Sequence, residues 1–276
     1  MQTRLLLTVV ATSAAALLFV ACSDRPPTVD EICQHSPELC TDLNQDGWCY
    51  TERRILIKSR YNFQQQASPR HHFLLLRDLK DYSQCMELAS IVEHRNEKQK
   101  QSQRIEAYLN SLERLQQLGD QAMQSDAPIL LYWRWANRGD TKALQQFLQL
   151  RDTPAVQDHV LQHAFASYYA KTNEQQMLEH LYRSLRLYQP DERFIVEVPE
   201  SLLTYYLQHD DVAAAYIWSR VAIEFGSETI TEDDMHAIIN ADKATYEGWQ
   251  DVADSVIEAL NSDAFKGRPD APWQLN

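Results

Sequence analysis

The chain is predicted to be all-α: a helical-hairpin array preceded by a small, disulfide-stapled, Cys-rich segment. Three observations predict this. Residues Ile129 to Phe225 read as one hairpin written three times. Only six glycines occur in 276 residues, against abundant Leu, Ala, Gln and Glu, a balance that favours helix. Four cysteines follow position 30, and three of them, Cys33, Cys40 and Cys49, fall close together.

Met1 to Ala21 has the pattern of a secretory signal: Arg4 supplies a positive start, and Leu5 to Ala21 is uncharged and mostly apolar. This run is shorter than the roughly 20 apolar residues of a spanning helix. Its ending, Phe19-Val20-Ala21-Cys22, resembles the lipobox of bacterial lipoproteins, with Phe19 where Leu is usual. That resemblance implies cleavage before Cys22 and acylation of Cys22, with palmitate among its acyl chains. Several chains on one residue anchor stably, because each buried CH₂ contributes about 0.8 kcal/mol. Ser23 stands where Asp would favour inner-membrane retention, so the expected address is the outer membrane, facing the periplasm. Residues 22–30 are polar and Pro-bearing and read as a lipidated tether.

Residues 31–86 form the Cys-rich segment. Cys33, Cys40, Cys49 and Cys85 are an even set in an oxidising compartment, so two disulfides are expected, with three connectivities open. Cys85 is expected to fasten a later helix back onto the segment. Between Cys40 and Cys49, Asp42-Leu43-Asn44-Gln45-Asp46-Gly47 matches the first half of a calcium loop, with oxygen ligands at Asp42, Asn44 and Asp46 and a turning glycine. Position 12 is Arg53 rather than Glu, so a polar turn competes with a calcium site. Trp48, Tyr50, Arg53, Arg54, Lys58, Arg60 and Tyr61 make a basic, aromatic stretch in an acidic chain, read as a solvated helix face.

Residues 87–125 are read as the body of one long helix running from about Met86 to Met123. Ile91, Ile105 and Leu112 recur by sevens, which raises a coiled-coil dimer. Residues 95–104 are almost wholly polar and must face water, which favours a helix packed on its C-terminal half.

Residues 126–261 carry the repeats and their capping helices. Three polar turns punctuate them: Arg138-Gly139-Asp140, Thr172-Asn173-Glu174 and His209-Asp210-Asp211. From Asp140 to Glu174 to Asp211 the steps are 34 and 37 residues. Apolar positions keep register on both sides: Tyr132, Ala166, Leu203; Trp135, Tyr169, Tyr206; Ala136, Ala170, Leu207; then Leu144, Leu178, Ala215; and Phe147, Leu181, Trp218. One hairpin cannot cover its own apolar stripe, so neighbours stack on it. Pro154 and Pro190 mark the breaks between units. The period and helix–turn–helix form resemble a degenerate tetratricopeptide repeat. Thr231-Glu232-Asp233-Asp234 starts a further helix, and Ile238, Trp249, Val256 and Leu260 continue the periodicity that seals the array. Residues 262–276 read as a tail.

Composition excludes some functions. A formal net charge of −13 becomes −14 when residues 1–21 and Arg4 are removed, which repels nucleic acid. No glycine-rich phosphate loop and no Gly-x-Ser-x-Gly elbow is present. His159 and His163 are four apart, a spacing that can bind zinc, but no Glu follows the first His, so the protease motif is absent. With every cysteine of the mature body assigned to a disulfide, no thiol nucleophile is expected. No catalytic residue is therefore named, and an enzyme is not expected; an envelope hydrolase would require converging titratable groups in a pocket.

The signal, the Cys-rich segment with Asp-Leu-Asn-x-Asp and the helical body resemble an uncharacterised family of bacterial lipoproteins built on a domain of unknown function. That resemblance carries no activity. The functional expectation is a lipid-anchored periplasmic scaffold that binds another envelope protein or peptide, with Trp133, Tyr168 and Tyr205 as aromatic anchors. The alternative is a calcium-dependent binding module using the Asp42–Asp46 loop.

Overall fold

The computed structural model describes residues 25–92, 98–239 and 241–273. The predicted signal, its cleavage site and Cys22 lie outside the described residues. Among the described residues the fold is all-helical, with no strand.

Helix α1 (Val29–His35) is short and firmly started: Thr28 caps it and Glu31 reaches back to the Thr28 backbone, a reciprocal pair that satisfies two N-terminal donors. α2 (Tyr50–Gln65) and α3 (Pro69–Ser90) form an antiparallel pair that buries Leu56, Ile57, Leu76 and Leu79. Two disulfides staple this region, Cys33–Cys40 and Cys49–Cys85. The second joins the start of α2 to α3, the fastening expected of Cys85.

The single long helix over 86–123 is not what forms. α3 ends at Ser90, and α4 (Lys98–Ala122) turns back to pack along it. Residues 98–104 of the polar stretch form the first turns of α4, and Arg104 there is buried rather than facing water. Ile91 sits at the end of α3, so it and Ile105 belong to different helices rather than to one heptad seam.

The three predicted hairpins are present as α5 (Pro128–Arg138) with α6 (Thr141–Gln149), α7 (His159–Tyr169) with α8 (Glu174–Leu187), and α9 (Glu197–Gln208) with α10 (Val212–Glu224). Their polar turns have one physical role. Asp140, Asn173 and Asp211 each cap the second helix, and each side chain accepts a 3.0 Å hydrogen bond from the N–H three residues on. Capping position rather than charge sets the register, so the cap-to-cap steps are 33 and 38 residues. The register predicts burial well: Phe147 and Trp218 are fully buried and Leu181 nearly so. The Ala136 and Ala170 set behaves differently and faces out.

Two helices close the chain. Thr231 caps α11 (Glu232–Ile238), with Asp234 completing the reciprocal pair. α12 (Lys243–Asn261) lies on α10 and buries Val256 and Leu260. Residues 262–273 are not a loose tail. Phe265 is buried, Arg186 Nη1 donates to the Gly267 carbonyl at 2.7 Å, and Trp273 lies 5.6 Å from Trp218, centroid to centroid. Aromatic area outweighs the two prolines that made this stretch read as irregular.

Candidate functional site

The aspartate loop does not assemble as a cation site. Asp42 takes both guanidinium nitrogens of Arg60, at 2.6 and 2.8 Å. Asp46 accepts from Arg104 Nε at 2.6 Å. Asn44 turns its amide nitrogen inward, donating to Asp46 Oδ1 at 2.6 Å and to the Trp48 carbonyl at 3.2 Å. The three predicted ligands therefore serve two arginines and an internal turn instead of one shared centre. Burial raises the Asp46 carboxyl, but bonds from Asn44 and Arg104 outweigh it and hold the group low. Among the described residues one group of ligand-type atoms is close enough to share a metal: Cys49, Glu52 and Cys85. Its two sulfurs are joined in a disulfide.

His159 and His163 are not a metal pair either. His159 is buried, with Nδ1 3.0 Å from Glu192 and Nε2 3.3 Å from the Arg193 carbonyl, so both ring nitrogens are engaged. The His159 hydrogen bond, aided by Arg70, holds Glu192 below the usual carboxylate range. Arg70 on α3 ties this knot together, reaching Asp158 at 2.6 Å and Glu192 at 2.7 Å. It locks the repeat body to the N-terminal helices.

His163 instead lines an open groove. One recess of about 390 Å³ lies between α3, α5, α7 and the α8–α9 connection, walled by Phe73, Lys80, Tyr132, Ala136, His163 and Arg193 among others. It shares Glu197 with a second recess of about 460 Å³, walled by Ala170, Glu174, Met177, Glu200 and Tyr205. It shares Arg77, Asp81, Gln84 and Arg193 with a third that reaches Thr51 and Ile55 of α2. The outward-facing alanines of the register, Ala136 and Ala170, keep the groove open where a larger side chain would fill it. Burial, with Glu197 next, raises the Tyr132 hydroxyl, and burial lowers His163.

A further recess, about 650 Å³, lies elsewhere, over α3 between α2 and α4. Its rim charges Arg60 and Asp42 are already paired with each other, so it offers less unspent recognition chemistry.

Of the predicted aromatic anchors, Tyr205 lines the groove, stacked on His209 at 4.1 Å. Tyr168 is exposed but packs edge-on against Trp135, away from the groove-lining set. Trp133 is 5 % exposed, with Arg138 5.7 Å over its ring, and the little it exposes lines the groove beside Tyr132. Sequence reasoning passed over Lys80, Arg193 and Glu197. The signal was available in the small third register position, Ala136 and Ala170, which marks an uncovered helix face.

A family model described as "Protein of unknown function (DUF2989)" matches residues 19–220. No curated protein and no solved structure matches the chain.

Proposed function

We propose that this chain, which belongs to the DUF2989 family of proteins of unknown function, is a lipid-anchored helical scaffold docking part of another envelope protein. One observation carries the reading. Three adjoining recesses that share lining residues lie along α3 and the first helices of successive hairpins, α5, α7 and α9. Stacked hairpins of tetratricopeptide type present that face to a ligand, and the repeated caps at Asp140, Asn173 and Asp211 support the same arrangement. Tyr132 and Tyr205 supply amphipathic contact area within it. The anchor rests on Cys22 in a lipobox-like stretch, which the family match takes in. An outer-membrane address follows from Ser23 after that cysteine.

Photo-crosslinking in intact cells tests the docking. A crosslinker at Ala136 in the groove should capture one discrete protein, and one at exposed Gln149 on α6 should not. Equal capture from both positions would remove the groove from the reading. Labelling with an alkyne fatty acid tests the anchor separately: label should be incorporated and be lost in Cys22→Ser.

A further inference from the structure

The groove has a charge polarity that specifies its occupant. At the α3 end stand Arg77, Lys80 and Arg193. Asp78 engages Arg77, and Asp81 engages Arg193. Lys80 meets the neutral Asn137 Oδ1 at 3.3 Å, so its charge is left to solvent or to a ligand. At the α9 end stand Glu174 and Glu200, with no lysine or arginine in that recess, and Glu197 lines both recesses where they meet. Glu200 spends its Oε1 on the hydroxyls of Ser227 and Thr229, which do not neutralise it.

Between these ends the walls are Tyr132, Ala136 and Ala170, aromatic or small. We propose that the groove binds an extended peptide segment of mixed charge. Acidic side chains lie at the α3 end, basic ones at the α9 end, and small or apolar residues between. This rests on the groove being the docking surface, and adds the chemistry of what docks. Complementary charge at both ends fixes direction and register more than it raises affinity. α3 packs on α5 and α5 on α7, two interhelical steps of about 9 Å, and Glu174 and Glu200 lie beyond them. At about 3.3 Å per residue, an extended chain needs more than about five residues to cover that span. An all-acidic segment meets the three glutamates, an all-basic one meets Lys80 and the arginines, and both are disfavoured.

Fluorescence anisotropy with the purified full chain tests this, using four dye-labelled decapeptides of equal apolar content. They carry acidic and basic clusters about eight residues apart, acidic clusters only, basic clusters only, or no charge. The mixed peptide should bind at least tenfold tighter than the other three at low salt. Lys80→Glu and Glu197→Lys should each weaken it at least tenfold, with thermal midpoints near wild type showing that both fold. Ala136→Trp, which fills the groove, should abolish binding. If the uncharged peptide binds as tightly as the mixed one and Ala136→Trp blocks both, the polarity is overturned and the groove stands. If no peptide responds to Ala136→Trp, both are overturned.

Discussion

Arg104 on α4 donates from Nε to Asp46 Oδ2 at 2.6 Å, closing a buried ion pair across 58 residues of sequence. Arg104 is 1 % exposed, and its guanidinium sits 5.0 Å over the Trp48 ring. A guanidinium here does for the loop carboxylate what a bound cation would do. Arg104→Ala leaves the part-buried Asp46 carboxylate with only the Asn44 amide and the Trp48 N–H and should cost about 2–3 kcal/mol in urea unfolding. By the same logic millimolar calcium should leave the thermal midpoint of the wild type unchanged. A midpoint that climbs with calcium would restore the loop as a metal site.

The two disulfides should differ in worth. Cys49–Cys85 spans 36 residues and Cys33–Cys40 spans 7. Loop-closure entropy then makes the longer one contribute about 4 kcal/mol and the shorter about 2 kcal/mol. Paired Cys→Ser variants, compared by urea midpoint, check the order. The reverse order would mean that the unfolded chain is already constrained near α3.

Stability should fall as the solution turns acidic. Burial, with Arg183 and Arg151 adding to it, lowers His180 from 6.5 to about 4. Its ring sits between Phe165 and Tyr169 and hydrogen-bonds Gln162 at 2.7 Å. The unfolded chain takes up this proton below pH 6.5 and the folded chain does not until about pH 4. Stability is therefore full above the first value, declines between the two and levels off below the second, a loss of about 3 kcal/mol. His180→Phe keeps the stacking and removes the proton, so its midpoint should vary less with pH. An unchanged slope would assign the titration to other groups.

Two helical glycines should respond oppositely to alanine. A Cβ on Gly119 would lie 2.8 Å from the buried Trp133 ring and 2.6 Å from Arg138. Gly119→Ala should lose about 1 kcal/mol net, overpacking exceeding the gain in helix propensity. Gly248 in α12 has no atom within 4 Å of such a Cβ, and Gly248→Ala should gain up to about 1 kcal/mol. Thermal melts of the two variants decide it: shifts of the same sign would mean that α4 does not press on α5.

Local pattern carried most of the helical architecture. Phe147, Leu181 and Trp218 could be assigned to the core from periodicity, because burying one face of a helix imposes a spacing on its own sequence. The polar turns were visible too, but the sequence placed the second at Glu174, whereas Asn173 caps α8. What escaped prediction depends on residues far apart in the chain. Nothing near Asp46 announces Arg104, and nothing near Asp81 announces Arg193, since ion pairs leave no periodic trace. Nor does the sequence tell how deeply Trp133 is buried, since an aromatic on an amphipathic helix looks alike whether it is half open to a groove or pressed on a neighbouring helix. The division of the long helix into α3 and α4 was hidden because the polar residues that open α4 suit a solvated helix interior equally well.

Trp273 and Phe265 lie over Trp218 in the last hairpin. Hairpins that stack through like faces can in principle keep adding, and an uncovered terminal face would recruit the next molecule as readily as the next unit of its own chain. The folded-back aromatics, with α12, cover the Trp218 side of the last hairpin, so that side is not left bare for a neighbouring molecule to stack on.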